Sequence, residues 1–424
     1  MIGKNQIRNE RGNETVCFFK SMWYNDRMTI RKLEGKERFE AYKLATFSFH
    51  KRLENIEEER EKREAETLED WGAFDDDGNL MARVFNRHYD FYLDGQPVKT
   101  GGIGAVATYP EYRESGAVRA LFNEIIQEVY NNGEILSALF PFNHKFYRKF
   151  GYEVVPFENE YKLKPELLAD YRTIAEGDKC KIKRWQTGES VKPFLEVFTS
   201  FASKFNLAAV RDEEMMLKHL KYEKEYIDRK FSYLFSHDDR AVAYLVFTDV
   251  FNPKAAVLKV EECAWTCREG FNAVLNFLSR FSADYGSITL PLPKGIDLLK
   301  IIRAPNAYDI ENRECQHFML RVVNAKKLLE KIRKPENCNF TIKIEDEMIK
   351  ENNVRLRVMN TCVEIMPEEI KCDIEMNIRS LAQLACGCTS IDEAALRPDV
   401  TINGNEEMLS KTFTVKKIYI TEDF

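Results

Sequence analysis

The junction at Gly116 brings together residue types that suit the binding of a phosphate group. A helix that begins at a glycine directly after a strand leaves its first NH groups free, with the positive end of the helix macrodipole behind them. Such a cup binds phosphate, and Arg113 and Arg119 could add positive charge to a pyrophosphate. An ordinary strand-to-helix turn with two solvent-exposed arginines has the same spacing, so this motif alone leaves both interpretations open.

Tyr147 is the second residue of chemical interest. It lies in the segment Phe-Tyr-Arg-Lys-Phe-Gly-Tyr at 146–152, which predicts a short helix that ends at Gly151. Its place after the junction at Gly116 is interpreted as that of a catalytic tyrosine behind a cofactor site. The alternative is that Tyr147 only fills the core between Phe146 and Phe150, because aromatic side chains are mostly packing residues.

A strand and a helix must hold the Gly116 junction. Residues 103–109 are apolar and rich in β-branched side chains, which predicts a buried strand, and Pro110 ends it because proline cannot donate to a sheet ladder. After the loop 111–115, apolar residues recur on one stripe of a helix: Val118, Leu121, Phe122, Ile125, Ile126 and Val129. Asn131-Asn132-Gly133 then predicts the helix end, since these residues tolerate a left-handed backbone.

The residues before this motif predict the rest of a mixed sheet. Residues 28–33 alternate like a first strand, 36–53 and 54–69 predict two helices, and the second of these is charged and solvated. Hairpin turns are predicted at 75–78, between strands 71–74 and 80–87, and at 93–97. Residues 1–27 are polar without periodicity and are interpreted as a leader, either a disordered tail or a segment upstream of a start at Met28.

Two further regions follow. The second predicts helices at 191–205, 212–221 and 270–285 and strands at 231–235, 241–247 and 256–264. Pro291-Leu292-Pro293 and the polar run 304–313 predict the next boundary. The third region predicts helices at 325–332 and 378–384 and strands from 318 and at 339–345, 354–358, 362–365 and 415–420.

Size and composition describe an ordinary globular protein with several domains. The chain has 424 residues, enough for two to four domains, of which three fit the pattern best. A hydrophobic content of 44% supports normal cores. The net charge of −6 argues against a nucleic-acid partner, which usually meets a basic face. This mild acidity suits a cationic substrate but is equally common among proteins without one.

The chain also lacks the sequence features of membrane, secreted and metal-binding proteins. No window approaches the ~20 apolar residues of a membrane helix, and no signal peptide core is present, so we expect a cytoplasmic protein without membrane insertion. The ten cysteines are interpreted as reduced thiols. Cys263 with Cys267, and Cys386 with Cys388, lack the usual zinc spacing, so no metal site is predicted.

The order of the parts resembles that of known acetyltransferases. Arg113-x-x-Gly116 is similar to the acetyl-CoA loop of the GNAT N-acetyltransferase fold, with Val118 where a small residue is usual, and the next strand and Tyr147 helix follow in that fold's order. Nearly the whole chain from Met28 resembles the enhanced intracellular survival (Eis) family. The segments that carry this resemblance are the tyrosine motif 146–152, Phe-Met-Leu-Arg-Val-Val at 318–323, Asn-Ile-Arg-Ser-Leu-Ala-Gln-Leu at 377–384, and Glu-Asp-Phe at 422–424.

The resemblance implies a three-domain α/β (α+β) fold. Two GNAT-like mixed-sheet domains stand in tandem, at 28–156 and 157–311, and a domain similar to sterol carrier protein 2 follows at 312–424. The second GNAT-like domain has no R-x-x-G loop at the matching place, which implies a structural role for it.

The resemblance also implies the roles of individual residues in acetyl transfer from acetyl-CoA, a co-substrate, to a primary amine. Tyr147 would act as the general acid toward the CoA sulfur, and the C-terminal carboxylate on Phe424 as the general base. A phenol of pKa about 10 is protonated near neutral pH, whereas a terminal carboxylate of pKa about 3.3–3.7 is a weak base that needs partial desolvation or a bridging water. The residues implied in cofactor binding are Val106, Ala107, Thr108, Arg113, Glu114, Ser115, Gly116, Ala117, Val118, Arg119, Phe142 and Asn143.

Two positions depart from the family pattern and bear on the substrate. Glu114 replaces a basic residue beside the cofactor arginine, and Lys51 stands where aminoglycoside-acetylating members carry an acidic residue after Ser48-Phe49. A lysine there repels polycations at close range. The implied substrate is an aminoglycoside-like compound or a polyamine. The alternatives are a lysine side chain of a protein or peptide, or a non-catalytic protein that binds acyl-CoA or lipid. Family members tend to be hexamers, so a homo-oligomer is expected.

Overall fold

A computed structural model of the chain describes residues 28–66, 69–174, 180–221, 228–250, 256–303, 309–422 and 424. The predicted leader at 1–27 and part of the predicted boundary run at 304–313 lie outside these ranges. The chain divides into two compact units. The first comprises the described residues up to Arg87 together with Ile103–Ile125, and the second comprises His88–Gly102 and Ile126–Phe424.

The first unit is built on an antiparallel sheet in the order β1-β2-β3-β4, with strands β3 and β4 running on into the second unit. Helix α1 buries Ala41 and Leu44. Ala41 packs with Leu33, which follows β1, and with Phe74 of β2. The element bounds are β1 Thr29–Lys32, α1 Lys36–Ser48, α2 Ile56–Ala65, β2 Glu69–Phe74, β3 Leu80–Leu93, β4 Gln96–Thr108 and α3 Ala117–Asn131.

The predicted hairpins and the helix after Gly116 are present at the expected places, and helix α2 is solvated as predicted, since it buries none of its residues. The predicted helices at 36–53 and 54–69 were too long, since α1 ends at Ser48 and α2 spans only Ile56–Ala65. Helix α1 ends at Ser48 because the backbone turns left-handed at His50, with φ of 53°, and again at Asn55, with φ of 49°. Strand β4 begins at Gln96, earlier than predicted, and runs through the glycine pair at 101–102.

In the second unit, a strand from far along the chain completes the sheet that begins with β4. The order is β4-β5-β14-β6. Strand β14 (Met319–Val322) pairs antiparallel with β5 (Leu136–Leu139) on one side and with β6 (Glu153–Val154) on the other. The short helix α4 (His144–Arg148) lies in sequence between β5 and β6. The sheet that supports α4 therefore depends on residues about 170 positions later.

The second sheet of the chain has seven strands, in the order β13-β7-β12-β11-β10-β9-β8. Its parallel pair, β11 and β12, is joined only as far as Thr289. Pro291-Leu292-Pro293, which the sequence analysis interprets as part of a boundary, lies within β12, beyond the last residue that pairs with β11, where no NH group is needed for that pairing. The domain boundary itself stays a prediction. The bounds are β7 Glu158–Leu163, α5 Tyr171–Ile174, β8 Lys181–Arg184, α6 Lys192–Ala202, α7 Glu213–Leu220, β9 Asp228–His237, β10 Arg240–Val250, β11 Val257–Trp265, α8 Arg268–Ser279, β12 Ser287–Pro293 and β13 Ile310–Cys315.

The third sheet has five strands in the order β17-β16-β15-β18-β19, with β15 and β18 parallel. Its apolar core is continuous with that of β5 and β14. The bounds are α9 Ala325–Lys331, β15 Asn339–Glu345, β16 Val354–Met359, β17 Val363–Met366, β18 Ile374–Asn377, α10 Ile378–Ala385, α11 Ile391–Ala394, β19 Val400–Ile402 and α12 Glu406–Thr412. These mixed sheets and their helices confirm the predicted α/β (α+β) class.

The predicted final strand at 415–420 was wrong. This stretch is extended, but it joins no sheet and pairs through single bridges at Ile418, parallel to Asn206 and antiparallel to Lys294. Its apolar residues resemble a strand because Ile418, Tyr419 and Ile420 are all buried. Burial on both sides of an extended segment gives the same pattern as a strand.

A buried arginine joins β14 to the loop after α4 and to the third sheet. The Arg321 guanidinium donates to Asp346 Oδ1 at 2.8 Å and Oδ2 at 2.7 Å, and its Nη1 donates to the Phe150 carbonyl at 2.8 Å. Both side chains of the ion pair are inaccessible to solvent. A Cβ atom placed on Gly151 would lie 1.6 Å from Arg321 Nη1, so any other residue at this position requires the guanidinium to move.

Within the described ranges, no helix is both long enough and apolar enough to cross a membrane.

We expect Gly151→Ala to destabilise the protein more than Gly78→Ala. The two glycines have nearly equal φ angles, 80° and 79°, so both substitutions force alanine into a left-handed backbone at a cost of about 1–2 kcal/mol. Gly78 has open space around it, whereas Gly151 faces Arg321, and overpacking there adds about 1–3 kcal/mol. Urea unfolding measures both values. Equal losses would mean that the guanidinium moves aside without cost.

Candidate active site

The predicted cofactor strand and loop lie in the first unit. Ala107 is buried in β4, while Val106 and Thr108 are half-buried. Just before them Ala105 has a φ of 46°, a left-handed conformation that is rare for a residue with a side chain. A non-glycine residue of this kind within a strand marks a local irregularity of the type found at functional sites.

The loop between β4 and α3 forms the predicted cup. Glu114 and Gly116 have positive φ angles, 65° and 94°, and the space above Gly116 is open. Ser115 Oγ accepts from the Ala117 NH at 3.3 Å, and the first intrahelical bond runs from Ala120 to the Gly116 carbonyl. Helix geometry therefore leaves the NH groups of Val118 and Arg119 available to an anion. Arg113 and Arg119 are exposed, as is Glu114.

Tyr112 ties this loop to the hairpin between β2 and β3. Its hydroxyl donates to Asp75 Oδ2 at 2.6 Å, and Asp75 also accepts from the NH groups of Asp77 and Asn79. The hydrogen bond from Tyr112 lowers the pKa of Asp75 to about 2, and the same contact raises the pKa of Tyr112 to about 12. Because the carboxyl pKa is depressed, the contact is present at neutral pH and is lost only as pH falls toward 2.

Tyr147 lies in the second unit on α4. Asn143 caps this helix, accepting from the Phe146 NH at 3.0 Å, and thereby fixes where the helix begins. Tyr147 is buried against Phe142, Phe146 and Tyr152, with ring centroids 5.1–6.4 Å apart. Burial raises the pKa of its hydroxyl above the usual value, so the group stays protonated at physiological pH. Phe142 is 71% exposed and borders Tyr147.

Phe424 also lies in the second unit, with its ring docked among aromatic side chains. Its ring centroid lies 5.3 Å from that of Tyr89, 5.5 Å from that of Phe140 and 6.3 Å from that of Phe318. A Cβ atom on Gly102 would lie 3.1 Å from the Phe424 ring, so the glycine makes room for it. The segment before it, residues 415–422, is called the tail here. It is held by the Tyr419 NH, which donates to the Asn206 carbonyl at 3.1 Å. Phe424 is therefore held in place by packing.

The structure divides the predicted residues between the two units. Val106 to Arg119 belong to the first, and Phe142, Asn143, Tyr147 and Phe424 to the second. Within the second unit, one short segment contacts both proposed catalytic residues: Phe140 packs on Phe424 and Phe142 packs on Tyr147.

The sequence analysis missed the residues that hold these groups. Tyr89 and Phe140 contact Phe424, and Tyr112 with Asp75 anchors the loop. The sequence did contain a signal for the residues that surround the Phe424 ring. A glycine pair inside a strand, here at 101–102, often marks the close approach of another group. No sequence signal indicated the contact between Tyr112 and Asp75, since these residues are 37 positions apart.

Lys51 lies in the first unit, in the connection between α1 and α2, where it is exposed together with Phe49. No group of three or more His, Cys, Asp or Glu side chains able to hold a metal ion occurs among the residues that the structure describes.

Two family models match parts of the chain. Residues 29–155 match an acetyltransferase (GNAT) domain, and residues 325–421 match a sterol carrier protein domain. The first match contains the β4–α3 loop and Tyr147, and the second contains the third sheet. No curated protein is significantly similar to the chain in sequence.

Solved structures share the fold over nearly the whole chain. A GCN5-related N-acetyltransferase from Anabaena variabilis is similar with a TM-score of 0.81 and 18% identity, covering 94% of this chain and 100% of that one. Eis1 from Mycobacterium abscessus has a TM-score of 0.76 and 17% identity, with 94% and 100% coverage. A GCN5-related N-acetyltransferase from Kribbella flavida has a TM-score of 0.75 and 18% identity, with 94% and 98% coverage.

At these identities the solved structures establish the fold, while the family models identify the two domains. The chain thus contains a GNAT acetyltransferase domain, the catalytic fold of an N-acetyltransferase enzyme, and a C-terminal sterol carrier protein domain.

Proposed function

We propose that the chain is an Eis-type N-acetyltransferase that transfers the acetyl group of acetyl-CoA directly to a primary amine. The observation that carries this proposal is the segment after β5, in which Phe140 contacts Phe424 and Phe142 contacts Tyr147. The two residues with the proposed proton-transfer roles thus pack on side chains only two positions apart in the chain.

The β4–α3 loop fits the phosphates of acetyl-CoA. Val118 and Arg119 offer helix NH groups, Gly116 leaves the approach open, and Arg113 and Arg119 supply positive charge. Val106, Ala107 and Thr108 would bind the pantetheine through their backbone, and Phe142 and Asn143 would border it near Tyr147. Glu114 opposes phosphate binding, but its exposure to solvent screens that repulsion.

Proton balance follows from the two proposed roles. The amine nitrogen attacks the acetyl carbonyl carbon, the new C–N bond forms and the C–S bond breaks. The Phe424 carboxylate takes the proton that the nitrogen loses, directly or through a water, and Tyr147 supplies a proton to the departing sulfur. The raised pKa of Tyr147 keeps its proton in place until the thiolate forms.

The substrate we propose is a small amine of the aminoglycoside-like or polyamine class. Lys51, if it lines the amine pocket as the resemblance implies, disfavours the most highly charged of these compounds. A lysine side chain of a peptide would undergo the same chemistry and differs only in the shape of the pocket it needs. The resemblance to Eis proteins also carries the proposal of a homo-oligomer, a hexamer, which light scattering would measure.

Thiol release from acetyl-CoA should depend on an added amine. We expect turnover with members of a panel of aminoglycosides and polyamines, and less with lysine peptides. The assay detects free CoA, with acetylated product confirmed by mass spectrometry. No turnover with any amine, combined with a thermal shift caused by a fatty acyl ligand but not by acetyl-CoA, would instead support a non-catalytic acyl-CoA or lipid-binding protein.

Tyr147→Phe should lower kcat by about 10²–10⁴-fold, the usual range for a lost general acid, while KM for acetyl-CoA changes little. Tyr171→Phe is the matched control, because it also removes a buried tyrosine hydroxyl, one that donates to the Ile301 carbonyl at 3.4 Å beside the second sheet. If both variants keep full turnover, Tyr147 is a packing residue.

Extending the chain beyond Phe424 by two glycines should abolish turnover, because the carboxylate moves away from the ring that anchors it. Phe424→Leu is the control, since it keeps the carboxylate at the end of the chain and an apolar side chain, and loses the ring contacts with Tyr89, Phe140 and Phe318. We expect it to retain a substantial part of kcat. Full activity in the extended chain would show that another group takes the proton from the amine.

A further inference from the structure

A buried arginine outside the proposed site connects the second sheet to the chain's tail. Arg211 precedes α7, and its side chain is inaccessible to solvent. Its Nη1 and Nη2 donate to the two carboxylate oxygens of Glu262, each at 2.9 Å. Glu262 lies on β11 with its side chain 3% exposed. This paired geometry is the strong form of an arginine–carboxylate contact.

The same guanidinium also binds the tail. Arg211 Nε donates to Glu422 Oε1 at 2.6 Å, and Nη2 donates to the Thr421 carbonyl at 2.8 Å. Thr421 adds a third link, since its hydroxyl accepts from the Ala209 NH at 3.1 Å. Arg211 thus fixes both a backbone group and a side chain of two consecutive tail residues.

The charges around Arg211 favour keeping this network ionised. Burial alone would raise the pKa of Glu262, but the charge of Arg211 beside it holds this pKa below its usual range. Tyr244 donates its hydroxyl to the same carboxylate. Removing either member of such a buried pair is costly, because the other charge is left without compensation. The network therefore resists rearrangement, as it must if it is to hold the tail in one place.

Further contacts connect the Arg211 network with the aromatic residues around the Phe424 ring. The Val210 NH, next to Arg211, donates to the Asp90 carbonyl of β3 at 2.7 Å, and Tyr89 of the same strand packs on the Phe424 ring. From Glu422 to Phe424 the chain can span at most about 7 Å. Arg211 and Tyr89 therefore hold the two ends of the same short piece of chain.

Resting on the proposed function, we propose that Arg211 is a positioning residue for acetyl transfer. Held by Glu262, it binds the backbone carbonyl of Thr421 and the side chain of Glu422, and so determines where the carboxylate of Phe424 lies. Ring packing alone holds the Phe424 side chain but leaves the backbone direction undetermined, because apolar contacts are non-directional. Through Arg211 and Glu262, the second sheet has a role in the reaction.

The test uses variants of Glu422, which retains 18% exposure and whose removal leaves the Arg211–Glu262 pair intact. Glu422→Ala should lower kcat by about 10–100-fold, the effect of a displacement near 1 Å, while KM for acetyl-CoA stays within about twofold. Glu422→Gln keeps an oxygen that accepts from Arg211 and should restore most of kcat.

Lys416→Met is the matched control. It also breaks an ion pair of the tail, with Asp94 at 2.6 Å and side chains 15% and 10% exposed, but six residues before Glu422. It should lower the melting temperature about as much as Glu422→Ala and leave kcat unchanged. If both variants lower kcat in proportion to their loss of stability, or if Glu422→Ala keeps full kcat, Arg211 has only a structural role.

The chain extended beyond Phe424 separates this failure from that of the proposed function. Loss of turnover in the extended chain with full kcat in Glu422→Ala overturns the role of Arg211 and leaves the carboxylate as the base. Full turnover in the extended chain overturns the base itself, and the positioning role with it.

Discussion

The buried pair of Arg321 and Asp346 is the interaction on which the order of the second unit depends. The Arg321 guanidinium fills the space beside Gly151 and donates to the Phe150 carbonyl in the loop after the Tyr147 helix. Burying two charges is expensive and is repaid only when the geometry is good and further hydrogen bonds are made. Asn352 supplies one of these, donating to Asp346 at 2.9 Å. Asp346, in the sterol carrier domain, thereby holds the arginine that binds the loop after a helix of the acetyltransferase domain.

Arg211 repeats this arrangement in the second sheet. In both cases an arginine binds both oxygens of a buried carboxylate and also donates to a backbone carbonyl, that of Phe150 in one and that of Thr421 in the other. Directional bonds from a rigid, fully charged fork can determine the register of a loop or tail in a way that apolar packing cannot. The two arginines thus act on the two parts of the chain to which we assign proton transfer.

Local signals in the sequence were sufficient for the hairpin turns of the first unit and for the helix that follows Gly116. Gly116 was predicted as a helix start from its neighbours alone, and the hairpin turns at 75–78 and 93–97 follow from turn chemistry. The final strand was wrong and the buried ion pair was missed for one reason, which is distance along the chain. Ile418 has the apolar neighbours of a strand, yet its partners are loops at Asn206 and Lys294. Nothing near Arg321 or Asp346 indicates that they meet across 25 residues. The roles of Tyr147 and Phe424 came from family resemblance, because no pattern of residues connects positions so far apart.

The insertion of β14 between β5 and β6 has a consequence for how the protein folds. A chain that stops at the end of the GNAT match, near residue 155, lacks β14 and leaves β5 with an open edge of unpaired backbone groups flanked by Leu136 and Leu139. Such an edge invites pairing between molecules and aggregation. Because β5 must wait for a strand made about 180 residues later, the sheet has high contact order and forms late in synthesis. The domain that sequence comparison delimits is therefore not a unit that folds on its own.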